Sequence, residues 1–306
     1  MNSGDDEDHA WPRTFDASVP NVARMYDFML GGKDNFQVDR DAVAKVLEAL
    51  PQGIEVVRQN RAFLRRVVRF LAGEAGVRQF LDLGSGLPTM QNVHEVAQEV
   101  NPEARVVYVD HDPVVVAHAR ALLEVNPNVR AVKADLRYPQ RLLASPDVRE
   151  FLDPAEPVAV LLVSVLHFLP AEEVKRIVGE VLEAVPAGSY LVVSHGTSDY
   201  ITDDSAEGLS DAYADSAAGG TTPRPRGQIL EFLDGWELVE PGLVGIQFWR
   251  PDQPVNEDSP VYYYGGVARK LITARSGPQS RLEVDLGRES TRNPPDISGL
   301  SATFAP

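Results

Sequence analysis

The chain contains no cysteine. Disulfides, thiolate metal sites and cysteine nucleophiles are therefore excluded, and the composition fits a reducing compartment. No apolar run approaches the roughly 20 residues that span a bilayer. The longest, Val158 to Val165, is interrupted by Ser164 and reads as a buried strand. Met1 to Ala10 is acidic and polar, without the basic start and apolar middle of a secretory signal. These absences lead to the expectation of a cytoplasmic protein with no membrane contact. Basic residues are the minority: 29 Lys and Arg against 45 Asp and Glu give a net charge of −16. A polyanion would meet long-range repulsion over such a surface, so nucleic acid is a disfavoured partner. Arg58, Arg61, Arg65, Arg66 and Arg69 recur along one helical pattern and read as a solvated face. The six histidines show no ligand spacing with neighbouring acids, so no metal site is expected.

What is present is ordinary globular composition, 43% apolar and 24% charged over 306 residues. That length suits one large domain, or one domain with additions. Residues 1–17, with the run Asp5, Asp6, Glu7 and Asp8, are expected to be disordered. Residues 18–72 read as helical: Val22, Met25, Tyr26, Met29 and Leu30 recur at helical spacing until Gly31-Gly32. A second helix is expected from Asp39 to Pro51 and a third from about Glu55 to Ala72. From Val77 the pattern alternates between strands and helices. Strands are expected at Val77–Leu83, Arg105–Val109, Val129–Ala134, Val158–Val165 and Tyr190–Ser194, with late strands at Trp236–Val239, Val244–Trp249 and Val261–Leu271. Pro88 is placed in the first turn of the helix after the first strand. Alternation of this kind predicts an α/β fold, a doubly wound and mostly parallel sheet with an antiparallel edge strand and an N-terminal helical addition. Residues 273–306 lose periodicity and are expected to be a disordered or partly ordered tail.

The first strand runs into Gly84-Ser-Gly-Leu-Pro-Thr89. A glycine loop there lies at the carboxyl edge of the sheet, where crevices open. The third glycine of the dinucleotide fingerprint is missing. Asp82 precedes the loop; a carboxylate there repels a pyrophosphate but attracts the ammonium of a methionine moiety. Asp110 ends the next strand, where a carboxylate can accept from both ribose hydroxyls. Asp135 ends the third strand and is placed to accept from an adenine amino group. Turns favour Asp for local reasons, which is the competing explanation for each acid singly. The set points to S-adenosylmethionine (SAM) rather than to a nicotinamide cofactor.

Phe80-Leu-Asp-Leu-Gly-Ser-Gly-Leu-Pro-Thr89, Val107-Tyr-Val-Asp-His-Asp-Pro113 and Ala134-Asp-Leu-Arg137 resemble the first three motifs of class I methyltransferases. Asn21-Val-Ala-Arg-Met-Tyr-Asp-Phe-Met-Leu-Gly-Gly-Lys-Asp-Asn-Phe36 is similar to the start of an actinobacterial SAM-dependent methyltransferase family, formerly a family of unknown function. The likeness spans about residues 18–271. It implies a Rossmann-like class I fold, SAM as cofactor and no known acceptor. Carried over position by position, it implies cofactor contacts for Gly84, Ser85, Gly86, His111, Leu136 and Ser164 beside the three acids. It also implies that 18–72 forms a lid, with Tyr26 and Gly32 over the cofactor and Lys33 or Asn35 meeting a carboxylate. The alternative is a helix stop followed by a capped helix.

Methyl transfer from a sulfonium needs alignment and dryness more than acid–base groups. Val163-Ser-Val-Leu-His-Phe-Leu-Pro170 lacks the Asn/Asp-Pro-Pro-Tyr/Phe pattern that resembling enzymes use for amide or base nitrogens. His167 can act as a base or merely pack near the adenine; His195, expected in a loop after the fifth strand, can reach an acceptor or be solvated. Tyr262, Tyr263 and Tyr264 alternate faces on the last strand. The expected partner is a small-molecule methyl acceptor. A SAM-binding sensor without catalysis and an NAD-dependent oxidoreductase are the competing functions.

Overall fold

The computed structural model describes residues 16–89 and 91–271. The expectations for the acidic start, except at Asp16 and Ala17, and for the tail lie outside the described residues. Three helices come first: α1 (Val22–Met29), α2 (Gln37–Ala49) and α3 (Gly53–Gly73). Alternation follows: β1 (Gln79–Leu83), α4 (Val93–Val100), β2 (Arg105–Asp110), α5 (Pro113–Leu123), β3 (Val129–Lys133), the short α6 (Pro139–Leu143) and α7 (Pro146–Arg149), then β4 (Ala159–Val163). After a 3-10 turn at Leu166–Phe168 come α8 (Ala171–Ala184), β5 (Tyr190–Gly196), α9 (Asp203–Ala214), α10 (Arg226–Glu231), β6 (Glu237–Leu238), β7 (Val244–Gly245) and β8 (Tyr263–Arg269).

The sheet runs β3-β2-β1-β4-β5-β8-β6, and β7 also pairs with β8. The first five of these strands are parallel; β8 lies antiparallel to β5, β6 and β7. The sheet is buried on both faces, which is why its strands read as continuous apolar runs. Leu81, Val107, Val160 and Leu191 face a core closed by Ile177 and Val181 of α8. Phe80, Val106, Leu161 and Val192 face the opposite core, closed by Phe63 and Val67 of α3 and by Val96 of α4. A third core joins Met25 and Met29 of α1, Val43 and Val46 of α2, and Leu209 and Ala212 of α9.

Several expectations are corrected here. Pro88 is not in a helix. The helix begins at Val93, because Asn92 N–H donates to the Glu95 carboxylate at 2.7 Å, half of a capping box. The strand expected at Val244–Trp249 ends at Gly245 and continues as a 3-10 turn. Helix α9 was not expected, since it buries little but Leu209 and Ala212. The arginine stripe of α3 is not simply solvated. Arg66 donates to the carbonyls of Trp249 and Ile246 at 2.9 and 2.6 Å, and Arg65 and Arg69 pair with Asp252. No helix among the described residues is long and apolar enough to cross a membrane.

Candidate functional site

Strand order reverses direction between β1 and β4, and a crevice opens at such a switch point on the carboxyl edge. There a cavity of about 500 Å³ is roofed by α1 and walled by α3. Asp82, Gly84, Ser85 and Gly86 line it from β1 and its loop, Asp110 and His111 from β2, Asp135 and Leu136 from β3, and Ser164 from β4. Six acids, Asp27, Asp82, Asp110, Asp112, Asp135 and Glu173, face it against two cations, Arg61 and Arg137.

Asp82 is buried, and no donor among the described residues bonds its carboxylate. Burial pushes its pKa up to about 7, Arg61 opposes that rise, and the nearby Asp110 adds to it. A buried carboxylate of this kind suits a positively charged neighbour. Asp110 is used on one side: Oδ2 accepts from Gly86 N–H at 3.0 Å and Oδ1 from Asp112 N–H at 2.9 Å. An ionised carboxylate has about four acceptor positions, so capacity remains toward the cavity. Burial also raises the Asp110 pKa. Asp135 lies at the cavity, but Arg137 pairs with its Oδ2 at 2.6 Å and the Arg137 N–H donates to its Oδ1. Gly84 has φ +73°, and a Cβ there would meet Val165 at 2.8 Å. Its glycine requirement therefore comes from the β4 turn packed behind the loop as much as from any ligand.

Helix α1 is tied down at several points. Asn21 Nδ2 donates to Asp112 at 2.5 Å, and the Asn21 N–H and the Arg24 guanidinium both reach Asp39. Tyr26 lines the cavity, and Asn60 Nδ2 donates to its hydroxyl at 3.0 Å. Asn60 Oδ1 accepts from the Ser194 hydroxyl at 2.7 Å, and Ser194 Oγ accepts from Ser164 N–H at 2.9 Å. One chain of bonds thus runs from the roof through α3 to the end of β4, where Ser164 is held at φ +59°. Gly32, Lys33 and Asn35 are not among the residues that line the cavity. Lys33 is exposed, whereas Asn35 Nδ2 and Asp34 N–H both donate to Asp27 Oδ2 at 2.9 Å. The glycine-rich segment acts on Asp27, and it is Asp27 that faces the cavity.

His195 is not in a loop. It lies in β5 and is fully buried. Its Nδ1 is 2.7 Å from the Gly196 carbonyl, which only accepts, so Nδ1 carries the proton. Nε2 then accepts from Arg224 Nη1 at 2.9 Å. Burial pushes the His195 pKa down to about 4. Both nitrogens are engaged, so His195 has no free base to offer. Arg224 also donates to the carbonyls of Leu166 and Leu169, clamping the turn that carries His167. His167 is buried, and its pKa lies well below the usual imidazole range because of burial, with His195 and Arg224 adding to the effect. Its Nε2 is 3.4 Å from the Tyr263 hydroxyl, and that hydroxyl is 3.3 Å from Ser164 Oγ. Asn21, Asp27, Asn60, Arg61 and Arg224 were missed from the sequence. Asn60 alone had a readable signal, a polar residue on the apolar stripe of α3 between Val57 and Leu64.

The cavity's size falls within the range of small-ligand sites. Its acidic lining fits a cofactor with a positive sulfonium and ammonium, and opposes a pyrophosphate. Residues 8–271 match a family model described as S-adenosyl methyltransferase. A candidate methyltransferase from Thermobifida fusca YX is 44% identical, with a TM-score of 0.80, over 86% of this chain and 100% of that one. A DUF574 family protein from Streptomyces avermitilis is 38% identical, with a TM-score of 0.77, over 83% of this chain and 99% of that one. No curated protein matches the chain. The sheet carries the class I methyltransferase arrangement, and the chain belongs to the S-adenosyl methyltransferase family: it is a SAM-dependent methyltransferase.

Proposed function

We propose that the acidic cavity holds SAM, and that the methyl passes in line to a small-molecule acceptor. The observation that carries this reading is Asp82, a buried carboxylate with no donor among the described residues, beside Asp110 in a cavity dominated by acids. In this reading Asp82 takes the ammonium of the methionine moiety. Asp110 uses its remaining acceptor capacity on the ribose hydroxyls, with His111 at the rim. Leu136 and Asp135 border the adenine, and the backbone of Gly84, Ser85 and Gly86 underlies the cofactor. Tyr26 covers it as part of α1, and Ser164 marks the end nearest the acceptor.

Bound SAM supplies a methyl group already activated on sulfur. The chain's contribution is to hold the reacting groups in line and to keep water out. The anchored α1 roof serves the second purpose, and the bond chain Tyr26–Asn60–Ser194–Ser164 fixes roof and floor together. The acidic cavity and the net charge of −16 support a small molecule over a nucleic acid.

Asp82 makes the reading testable by pH. Its free-protein pKa near 7 means that it holds a proton below that pH. An incoming ammonium favours the charged carboxylate, so binding expels the proton. Affinity for S-adenosylhomocysteine is expected to rise roughly 20-fold from about pH 5.5 to 7.5 as the ionised fraction grows, and to fall again once the ligand's own amine loses its proton. In Asp82→Asn the rising limb disappears. Calorimetric titration across this range checks both profiles; a wild type with no pH dependence, or one matching Asp82→Asn, overturns the assignment.

A further inference from the structure

The two cations that face the cofactor cavity are not equivalent. Arg137 is closed onto Asp135 at 2.6 Å, on the side that borders β3. Arg61 comes from α3, where Asn60, Arg61 and Leu64 line the cavity from one face of the helix. Behind the glycine loop a recess of about 10 Å³ lies against the cavity, and Arg61, Asp82, Ser85, Gly86 and Leu87 line both. Among the described residues Arg61 and Asp82 are the charged ones in that recess. One end of the cavity thus presents a single cation beside a single anion, while the other presents Asp110 and the Asp135–Arg137 pair.

The Arg61 charge reaches both floor and roof. Burial raises the pKa of Asp82 and of the Tyr26 hydroxyl, and in each case Arg61 opposes the rise. Asp82 nevertheless accepts from no donor among the described residues, so the two opposite charges are near each other without closing into a pair. Arg61 Nη2 donates to the Gln91 carbonyl at 3.0 Å, where the backbone turns at φ +60°. That bond orients the guanidinium, a rigid planar fork of donors that matches a carboxylate. A lone anion here would meet Asp82, and a lone cation would meet Arg61. A group that carries an ammonium and a carboxylate on one carbon suits both.

We infer that Arg61 takes the carboxylate of the cofactor's methionine moiety, and that Arg61 and Asp82 together select for nucleosides that keep this zwitterionic end. The inference rests on SAM occupying the cavity with its ammonium at Asp82. It moves the carboxylate contact from Lys33, which is not among the lining residues, to the N-terminal helix that also carries Asn60. A thioether nucleoside without the amino-acid end gains neither charged contact. One whose carboxyl is an amide gains only the contact to Asp82. Holding both charges also restricts the short chain that joins them to the sulfonium, and so limits where the methyl can point. Arg61 is therefore a binding and positioning residue and takes no proton.

The test titrates the full-length protein by calorimetry with S-adenosylhomocysteine, its carboxamide and 5′-methylthioadenosine, at about pH 6.5 so that both amines stay protonated. Wild type is expected to prefer S-adenosylhomocysteine over the carboxamide by about 30-fold. In Arg61→Gln that preference should fall below about threefold, while 5′-methylthioadenosine binds within about threefold of wild type. The last ligand separates carboxylate recognition from a merely structural role through Gln91, which would weaken all three ligands alike. A second measurement needs no variant. With nitrogen-15-labelled arginine in wild type, S-adenosylhomocysteine should move the Arg61 Nε resonance at least about twice as far as the carboxamide does. Equal affinity of wild type for acid and amide, an undiminished preference in Arg61→Gln, equal losses for all three ligands, or an Arg61 resonance that answers both ligands equally overturns the proposal and leaves the cofactor reading intact. Failure of wild type to bind any of the three defeats both.

Discussion

Asp110→Asn is expected to lower affinity for S-adenosylhomocysteine by about 100-fold without unfolding the protein. The wild-type carboxylate already accepts from the Gly86 and Asp112 N–H groups, and the account gives its remaining acceptor positions to two ribose hydroxyls. Hydrogen bonds to a charged acceptor contribute about 1.5–3 kcal/mol each, so loss of one to two gives the stated change. An amide keeps a single acceptor oxygen. Its NH2 group then faces either Gly86 N–H or Asp112 N–H, donor against donor. The glycine loop is held less firmly on that side as well. Folding gains in compensation, because burial disfavours the charged carboxylate. Calorimetry for affinity and circular dichroism for melting separate the two effects. Affinity within about threefold of wild type would remove Asp110 from the cofactor contacts.

Gly32→Ala is expected to destabilise the protein by about 3 kcal/mol, far more than Gly31→Ala at about 1 kcal/mol. The two neighbours differ in kind. Gly31 has φ +83° but nothing within 4 Å of a would-be Cβ, so Ala there meets only backbone strain. A Cβ on Gly32 would meet Asp27 Oδ1 at 1.9 Å and its Cγ at 2.4 Å. The Asp27 carboxylate must move, and it is buried with Asp34 N–H and Asn35 Nδ2 as its donors. Breaking both leaves a buried charge short of partners. Because Asp27 and Tyr26 share the α1 roof, ligand affinity should fall with stability. Thermal melting of both variants, with and without S-adenosylhomocysteine, checks this. Equal melting points for Gly31→Ala and Gly32→Ala would show that the segment is only a helix stop.

The parallel sheet was legible because buried strands are apolar on both faces, as in Val106 to Val109 or Val160 to Leu162. Helix α8 carries a similarly legible signal, since its stripe of Val174, Ile177, Val178 and Val181 is uninterrupted. Helix α9 was not, because a helix lying on other helices needs little apolar surface of its own; its signal was the Thr202 cap, whose hydroxyl accepts from Ser205 N–H. Asp82, Asp110 and Asp135 stood out because each lies at or beside the carboxyl end of a strand, whereas Asp27, Asp112 and Glu173, which face the same cavity, do not. What closes the cavity was not. Tyr26 reaches Asn60, and Asn60 reaches Ser194, across separations no local pattern encodes. The histidines show the same limit. His167 and His195 look alike in sequence, and only the Gly196 carbonyl and Arg224 distinguish an engaged imidazole from one with a free nitrogen. The resemblance alone suggested a ligand role for Lys33 and Asn35; what no local pattern encodes is that Asn35 and the Asp34 N–H reach Asp27.

The central claim is that the acidic cavity between α1 and the carboxyl edge of the sheet is the cofactor site. A crystal structure of the protein with S-adenosylhomocysteine tests it most directly. The account predicts ligand density over Gly84–Gly86, ribose hydroxyls within about 3 Å of Asp110, the amino group on the Asp82 side and the Tyr26 ring against the ligand. A ligand seated elsewhere, or one whose ribose bypasses Asp110 while its amino group faces away from Asp82, contradicts it.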